Sequence, residues 1–206
     1  MTVILKRFAG NIVDQNNVVT AYTVPLNYKT IVKSFFISNG SASTVSVTVR
    51  FANNAIMYNY VMKPNDAIAV PVVDQLLIAG NTITISATAA NSISYYISGL
   101  EALTTDPEYS DVLRFGIGTV PVSSGVIASS SSKDRLVKGI VLCNTFSSDA
   151  RISMEVFGLR ILQAFTVKAS DTILIPTIDL LIPASEYITA SASSGGVHYY
   201  ITGKEL

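Results

Sequence analysis

The 206-residue chain has one cysteine, one histidine and no tryptophan, and only 14% of its residues are charged. Each scarcity removes a class of chemistry. A single thiol, Cys143, can form neither an intrachain disulfide nor a cysteine metal cluster. It lies in the apolar run GIVLCN, where a buried structural thiol is expected rather than a nucleophile. The lone imidazole of His198 excludes a multi-histidine zinc site. It also leaves any Ser-His-Asp or Cys-His machinery a single base, placed inside a short strand-like stretch. The 14 Lys and Arg balance the 14 Asp and Glu, so no surplus charge points to nucleic acid, an anionic membrane or an acidic substrate.

Long clean apolar runs are missing as well. The longest, ILIPTIDLLIPA (173–184), carries two prolines and Asp179 and falls short of the roughly 20 residues a spanning helix needs. No long apolar segment follows the basic residues of MTVILKRFAG, so the expectation is a soluble chain without a secretory signal. There is no Walker loop, no GxGxxG opening a helix, no HExxH and no GxSxG, and no cofactor or metal is expected. A carboxylate pair assembled in three dimensions for glycan hydrolysis would leave no such trace, but no pair stands out.

What the chain has in quantity is apolar residues (49%), with Ser, Thr and Asn supplying most of the polarity. This composition suits β-structure whose surplus apolar surface is buried against other subunits.

The second abundance is repetition. Set over RLVKGIVLCNTFSS (135–148), the segment TIVKSFFISNGSAS (30–43) places Val32-Lys33 on Val137-Lys138 and Asn39 on Asn144, 105 positions apart each time. The same offset brings Lys63 onto Lys168, Asp66 onto Asp171, Ile68 onto Ile173, Pro71 onto Pro176 and Asp74 onto Asp179. It continues with Ile83-Thr84 on Ile188-Thr189 and Ser86-Ala87 on Ser191-Ala192. After one deletion the offset is 104, and ISYYISGLEAL (93–103) meets VHYYITGKEL (197–206). Even the starts correspond, LKRFAG (5–10) with VLRFGIG (112–118). A colinear match over about 70 residues is a duplication. The expected division is a domain over 1–103 and a second over 104–206, joined by the polar TTDPEYSD at 104–111, where Asp106-Pro107 disfavours helix.

Each copy reads as β throughout. In TVSVTVRF (44–51), Val45, Val47, Val49 and Phe51 share one face, and RISMEVF (151–157) keeps the phase. TITISATA (82–89) and YITASAS (187–193) alternate likewise. Turn signals recur every 8–12 residues or so, no window holds a long helical stripe, and the prediction is two tandem β-sandwiches of jelly-roll type, each of seven or eight strands. Residues 1–29 and 108–133 match least between the copies, and SSGVIASSSSKD (123–134) reads as a loose loop. Such divergent segments are where a partner-specific function is expected.

The pattern carried by Val32, Lys33, Asn39, Asp66, Ile68, Ile83, Ser86, Ala87, Gly99 and Glu101, and by their equivalents in the second copy, resembles β-sandwich modules of tailed-bacteriophage virion proteins. Such modules occur as capsid-decorating or cement proteins and in tails and fibres. The resemblance implies a non-enzymatic virion structural protein, assembled in the host cytoplasm. Its partners would be the major capsid protein or other virion proteins, and it would act as a homo-oligomer on the head. A tail or fibre component holding a host-surface glycan is the alternative.

Four tyrosines are the candidate interface residues: Tyr95, Tyr96, Tyr199 and Tyr200. Adjacent strand residues face opposite ways, so one of each pair is expected in the core and one outward. Asp66 and Asp171, and likewise Asp74 and Asp179, are expected to cap their own turns rather than bind calcium. Glu101 and Glu205 are expected to pair with Lys33 and Lys138.

Overall fold

A computed structural model describes residues 4–14 and 17–206, with the side chains of 176–178 excepted. The first copy contains β1 (Ile4–Ile12), β2 (Val19–Thr23), β3 (Tyr28–Asn39), β4 (Val45–Phe51), β5 (Asn54–Met62), β6 (Ala67–Ala69), β7 (Gln75–Ile78), β8 (Thr82–Ala87) and β9 (Ile93–Leu103). The second contains β10 (Val112–Thr119), β11 (Gly125–Ala128), β12 (Arg135–Asn144), β13 (Ala150–Val156), β14 (Leu159–Val167), β15 (Thr172–Ile182), β16 (Ile188–Ala192) and β17 (Val197–Glu205). Between them Pro107–Tyr109 makes a single 3-10 turn, capped by the Asp106 carboxylate, which accepts from the Glu108 N–H at 3.0 Å. No α-helix occurs among the described residues.

Four antiparallel sheets result, paired into two sandwiches. In the first, β1-β9-β3-β6, with β7 also on β3, faces β2-β8-β4-β5; in the second, β10-β17-β12-β15 faces β11-β16-β13-β14. The chain passes repeatedly from one sheet to the other, which is the jelly-roll path. The two copies follow it identically, save that β6 and β7 are separate where β15 is continuous. Inward alternate residues fill each interior. Phe35, Ile37, Ile93 and Ile97 meet Val45, Val47, Val49, Phe51, Ile83 and Ile85 in the first, and Ile140, Leu142, Val197 and Ile201 meet Ile152, Met154, Ile188 and Ala190 in the second.

The duplication extends to the backbone. Left-handed residues recur 105 positions apart: Ala52 and Phe157, Asn53 and Gly158, Asn59 and Ala164, Asn65 and Ser170, Asp74 and Asp179, Gly80 and Ser185, Asn91 and Gly196. Asn39 and Asn144 explain their own recurrence. Each Nδ2 donates to three carbonyls, those of Ser43, Met62 and Lys63 in one copy and Ser148, Val167 and Lys168 in the other. One buried amide thus ties the end of β3 or β12 to the turns on both sides.

The Val-Lys pair sits at a bulge. Pairing with β9 slips between Val32 and Ser34, and pairing with β17 slips between Val137 and Gly139. There the neighbouring backbone comes so close that a Cβ on Gly99 would lie 2.0 Å from the Ile31 carbonyl oxygen, and one on Gly203 2.0 Å from that of Leu136. The repeated glycine of the closing strand is required by this approach.

Three local expectations need correction. The stretch 123–134 is not a loose loop throughout, because Gly125–Ala128 forms β11 on β16. Glu101 and Glu205 do not pair with the lysines of the bulge. Lys33 reaches Asp74 at 2.7 Å and Lys138 contacts Asp179, so these aspartates hold lysines instead of capping turns, and Asp179 lies within β15. Glu101 is buried and takes Lys6 at 2.6 Å together with the Tyr22 hydroxyl. Glu205 accepts from Ser131 at 2.5 Å and lies 3.9 Å from Lys133. Lys33 and Lys138 stand at the slips in register, whereas Glu101 lies opposite Thr30 and Glu205 opposite Arg135. Asp66 and Asp171 do cap, each accepting the N–H of the next residue.

Candidate interaction surfaces

The closing strands set out the four tyrosines. On β9, Ile93, Tyr95 and Ile97 point inward, and Tyr95 is 7% exposed within the first core; Tyr96 points outward and is 47% exposed. On β17, Val197, Tyr199 and Ile201 point inward, with Tyr199 packed against the second core. Tyr200 points away from its own sandwich and yet is 1% exposed. It is covered by the other sandwich.

Tyr200 belongs to one apolar cluster with Phe51, Met57 and Leu77 of the first copy. Its ring meets Phe51 edge-on, with centroids 6.4 Å apart. Its hydroxyl donates to the Leu76 carbonyl at 2.5 Å, and Arg114 lies over the ring at 5.8 Å while also reaching Asn81 at 2.9 Å. Burial raises the phenol pKa, against the opposing influence of Arg114. Across the sheet the register aligns Ile117, Tyr200, Val141 and Leu174 in one row, all packed against the first core. Beside this row the Ala55 N–H donates to His198 Nδ1 at 2.9 Å, which fixes the imidazole as the neutral Nε2–H tautomer. Cys143 shares this outer face and is fully buried; desolvation pushes its thiol up to about 11. The surface of the first sandwich that receives this face is β5, the edge strand of its sheet, together with β7.

This contact joins two different surfaces, a sheet face and a strand edge, so each sandwich keeps the surface it did not use. In the first copy the equivalent row is Gly10, Tyr96, Phe36 and Ala69. Phe36 is 55% exposed where its counterpart Val141 is 1%. Phe36, Tyr96, Ser94 and Ala67 border a shallow depression of about 170 Å³. In the second copy the counterpart of β5 is β14, an edge strand exposed along nearly all its length, with Leu159 and Phe165 outward and Phe157 beside it.

No group of three or more His, Cys, Asp or Glu side chains able to hold a metal ion occurs among the described residues. Among the described residues no helix is long and apolar enough to cross a membrane.

No protein-family model and no curated protein matches the chain. Among solved structures it is similar to the major capsid protein P2 from bacteriophage PM2, at 9% identity over 100% of this chain and 98% of that one, with a TM-score of 0.40. It is similar to the STIV MCP at 8% identity, covering 100% and 96%, with a TM-score of 0.29. Allantoicase from Saccharomyces cerevisiae gives 8% identity over 90% and 76%, with a TM-score of 0.29. At these scores the fold rests on the chain's own strand pairing.

The burial of Tyr200 was not read from the sequence, although a signal was present. The run Gly139-Ile140-Val141-Leu142-Cys143 is apolar without alternation, as a strand buried on both faces requires, whereas Ser34-Phe35-Phe36-Ile37-Ser38 keeps polar ends.

Proposed function

We propose that this chain is a non-enzymatic structural protein of a virus particle, working by burying surface against neighbouring subunits. The observation that carries the reading is the pair of open, apolar surfaces, the Phe36–Tyr96 face and the β14 edge, at sites where the same fold already packs domain on domain. Both surfaces carry exposed large apolar side chains, Phe36 and Tyr96 on one and Leu159, Ile161 and Phe165 on the other, as repeated subunit contacts need. The resemblance of the Val-Lys, Asn and closing-strand pattern to phage virion modules supports the same setting. In its finer form the chain decorates and cements the head, where many copies multiply modest contacts into particle-scale stability.

A second form, in which the chain itself builds the shell, is favoured by the asymmetric contact between the two sandwiches. A face-to-edge contact repeats laterally without limit until it closes, as shell subunits do. Treatment of purified particles with mild chaotrope separates the two. A cement protein leaves the particle while the shell remains, and heads then burst more readily; a shell subunit takes the shell apart with it. Particles that never contain the chain would reject both forms.

A further inference from the structure

We propose that copies of this chain associate head to tail by repeating, between molecules, the contact that joins the two sandwiches within one molecule. The occupant of the open Phe36–Tyr96 face is the β14 edge of a second copy. This deepens the structural reading above and takes only its biological setting from it, since the purified chain can self-associate or fail to do so whatever particle it belongs to.

The two sandwiches are equivalent position by position. Within the chain, the row Ile117, Tyr200, Val141 and Leu174 is covered by β5 together with β7. The matching row Gly10, Tyr96, Phe36 and Ala69 lies on the same strands of the same fold and is open, with Arg7 beside Tyr96 as Arg114 is beside Tyr200. Leu5, the counterpart of Val112, is 82% exposed where Val112 is 7%.

The covering strand is matched too. The pairing of β5 with β4 is reproduced by β14 with β13 at every position, Val47–Tyr60 becoming Ile152–Phe165 and Val49–Met57 becoming Met154–Leu162. Yet Ala55, Ile56 and Met57 are buried under the second sandwich, while Arg160 and Ile161 are exposed. An uncovered edge strand bearing Leu159, Ile161 and Phe165 is a surface that soluble proteins otherwise blunt or cover. The substitutions suit one another. Arg160 stands where Ala55 donates to His198, its guanidinium held within the chain by Glu155 at 3.2 Å and Gln163 at 2.6 Å, so its backbone N–H would meet Ser94, the counterpart of His198.

Such a contact is heterologous, leaving one unused surface of each kind at the ends of any assembly not closed into a ring, and this gives a decisive test. Two full-length variants are made, Phe36→Asp/Tyr96→Asp on the open face and Ile161→Asp/Phe165→Asp on β14. All four side chains are exposed, and circular dichroism with cooperative unfolding checks the fold of each variant. Milder Tyr96→Ser and Phe165→Ser variants stand in if either aspartate form misfolds. Sedimentation of the wild type is expected to show concentration-dependent association. Each variant alone is expected to be monomeric, its association weakened about 30-fold or more. An equimolar mixture is expected to form a heterodimer and nothing larger, because each partner retains one intact surface. A two-fold symmetric contact gives no such complementation. A wild type that stays monomeric at its highest attainable concentration, a variant that assembles like the wild type, or a mixture that remains monomeric would each overturn the proposal.

Discussion

Tyr200 stands edge-on to Phe51 across the boundary between the two sandwiches, with ring centroids 6.4 Å apart and planes at 86°. Its counterpart Tyr96 occupies the same place on the equivalent strand β9 and is 47% exposed. Equal sequence thus gives unequal energetics. Tyr200→Ala, which empties a fully buried site, is expected to cost about 3–5 kcal/mol. Tyr200→Phe loses only the bonds to the Leu76 carbonyl and Arg114, about 1 kcal/mol. Tyr96→Ala is expected to stay within about 0.5 kcal/mol in dilute solution. Urea unfolding of the three variants checks the order; equal losses at Tyr96 and Tyr200 would contradict it.

Cys143 lies beneath the same boundary, its thiol fully buried and pushed up to about 11. It therefore reports on the separation of the sandwiches. In native protein, labelling by a disulfide reagent at neutral pH is expected to be slow and limited by opening. Tyr200→Ala is expected to accelerate it, whereas Tyr96→Ala leaves the rate unchanged. Rapid labelling of the wild type would mean that the boundary is open in solution.

The imidazole of His198 accepts the Ala55 N–H, so it must be neutral for the contact to form. Burial, and after it the Arg50 guanidinium, lowers its pKa below the ordinary 6.5. Well above pH 6.5 neither the folded nor the unfolded chain protonates it, and its contribution to stability is complete. As pH falls through about 6.5, the unfolded chain takes up a proton that the folded chain resists, and stability declines until the lower folded pKa is reached. His198→Asn keeps an acceptor near Nδ1 without titrating. Between about pH 7.5 and 5.5 the wild type is expected to lose more unfolding free energy than this variant. Identical pH profiles would remove His198 from the boundary.

Asn39 and Asn144 each satisfy three carbonyls from one amide. Replacement by Ala is expected to cost about 2–3 kcal/mol at either site, from the carbonyls left unpaired. Asp is expected to be worse than Ala, since it turns a carboxylate oxygen toward those carbonyls. Calorimetric or urea unfolding decides; a tolerated Asp would show that water replaces the amide.

The fold was legible where physics acts within one copy. Alternation placed Val45, Val47, Val49 and Phe51 inside, and the offset of 105 paired Asn39 with Asn144 because both do the same work. Pairings set by the bulge were not legible. Lys33 is displaced toward Asp74, which no spacing rule anticipates, and Glu101 finds Lys6 and Tyr22 on strands far along the chain. The boundary between the copies was hidden for another reason. Tyr96 and Tyr200 sit in near-identical phrases, and only three-dimensional placement covers one and leaves the other open.

The most direct test of the proposed structural role is a reconstruction of purified virus particles from the host of this chain, with any copies of the chain counted. The account predicts many copies, on or in the head, with the Phe36–Tyr96 face and the β14 edge both buried against neighbouring subunits. A chain found free in the cytosol, or present in a handful of copies with both surfaces open to solvent, would contradict it.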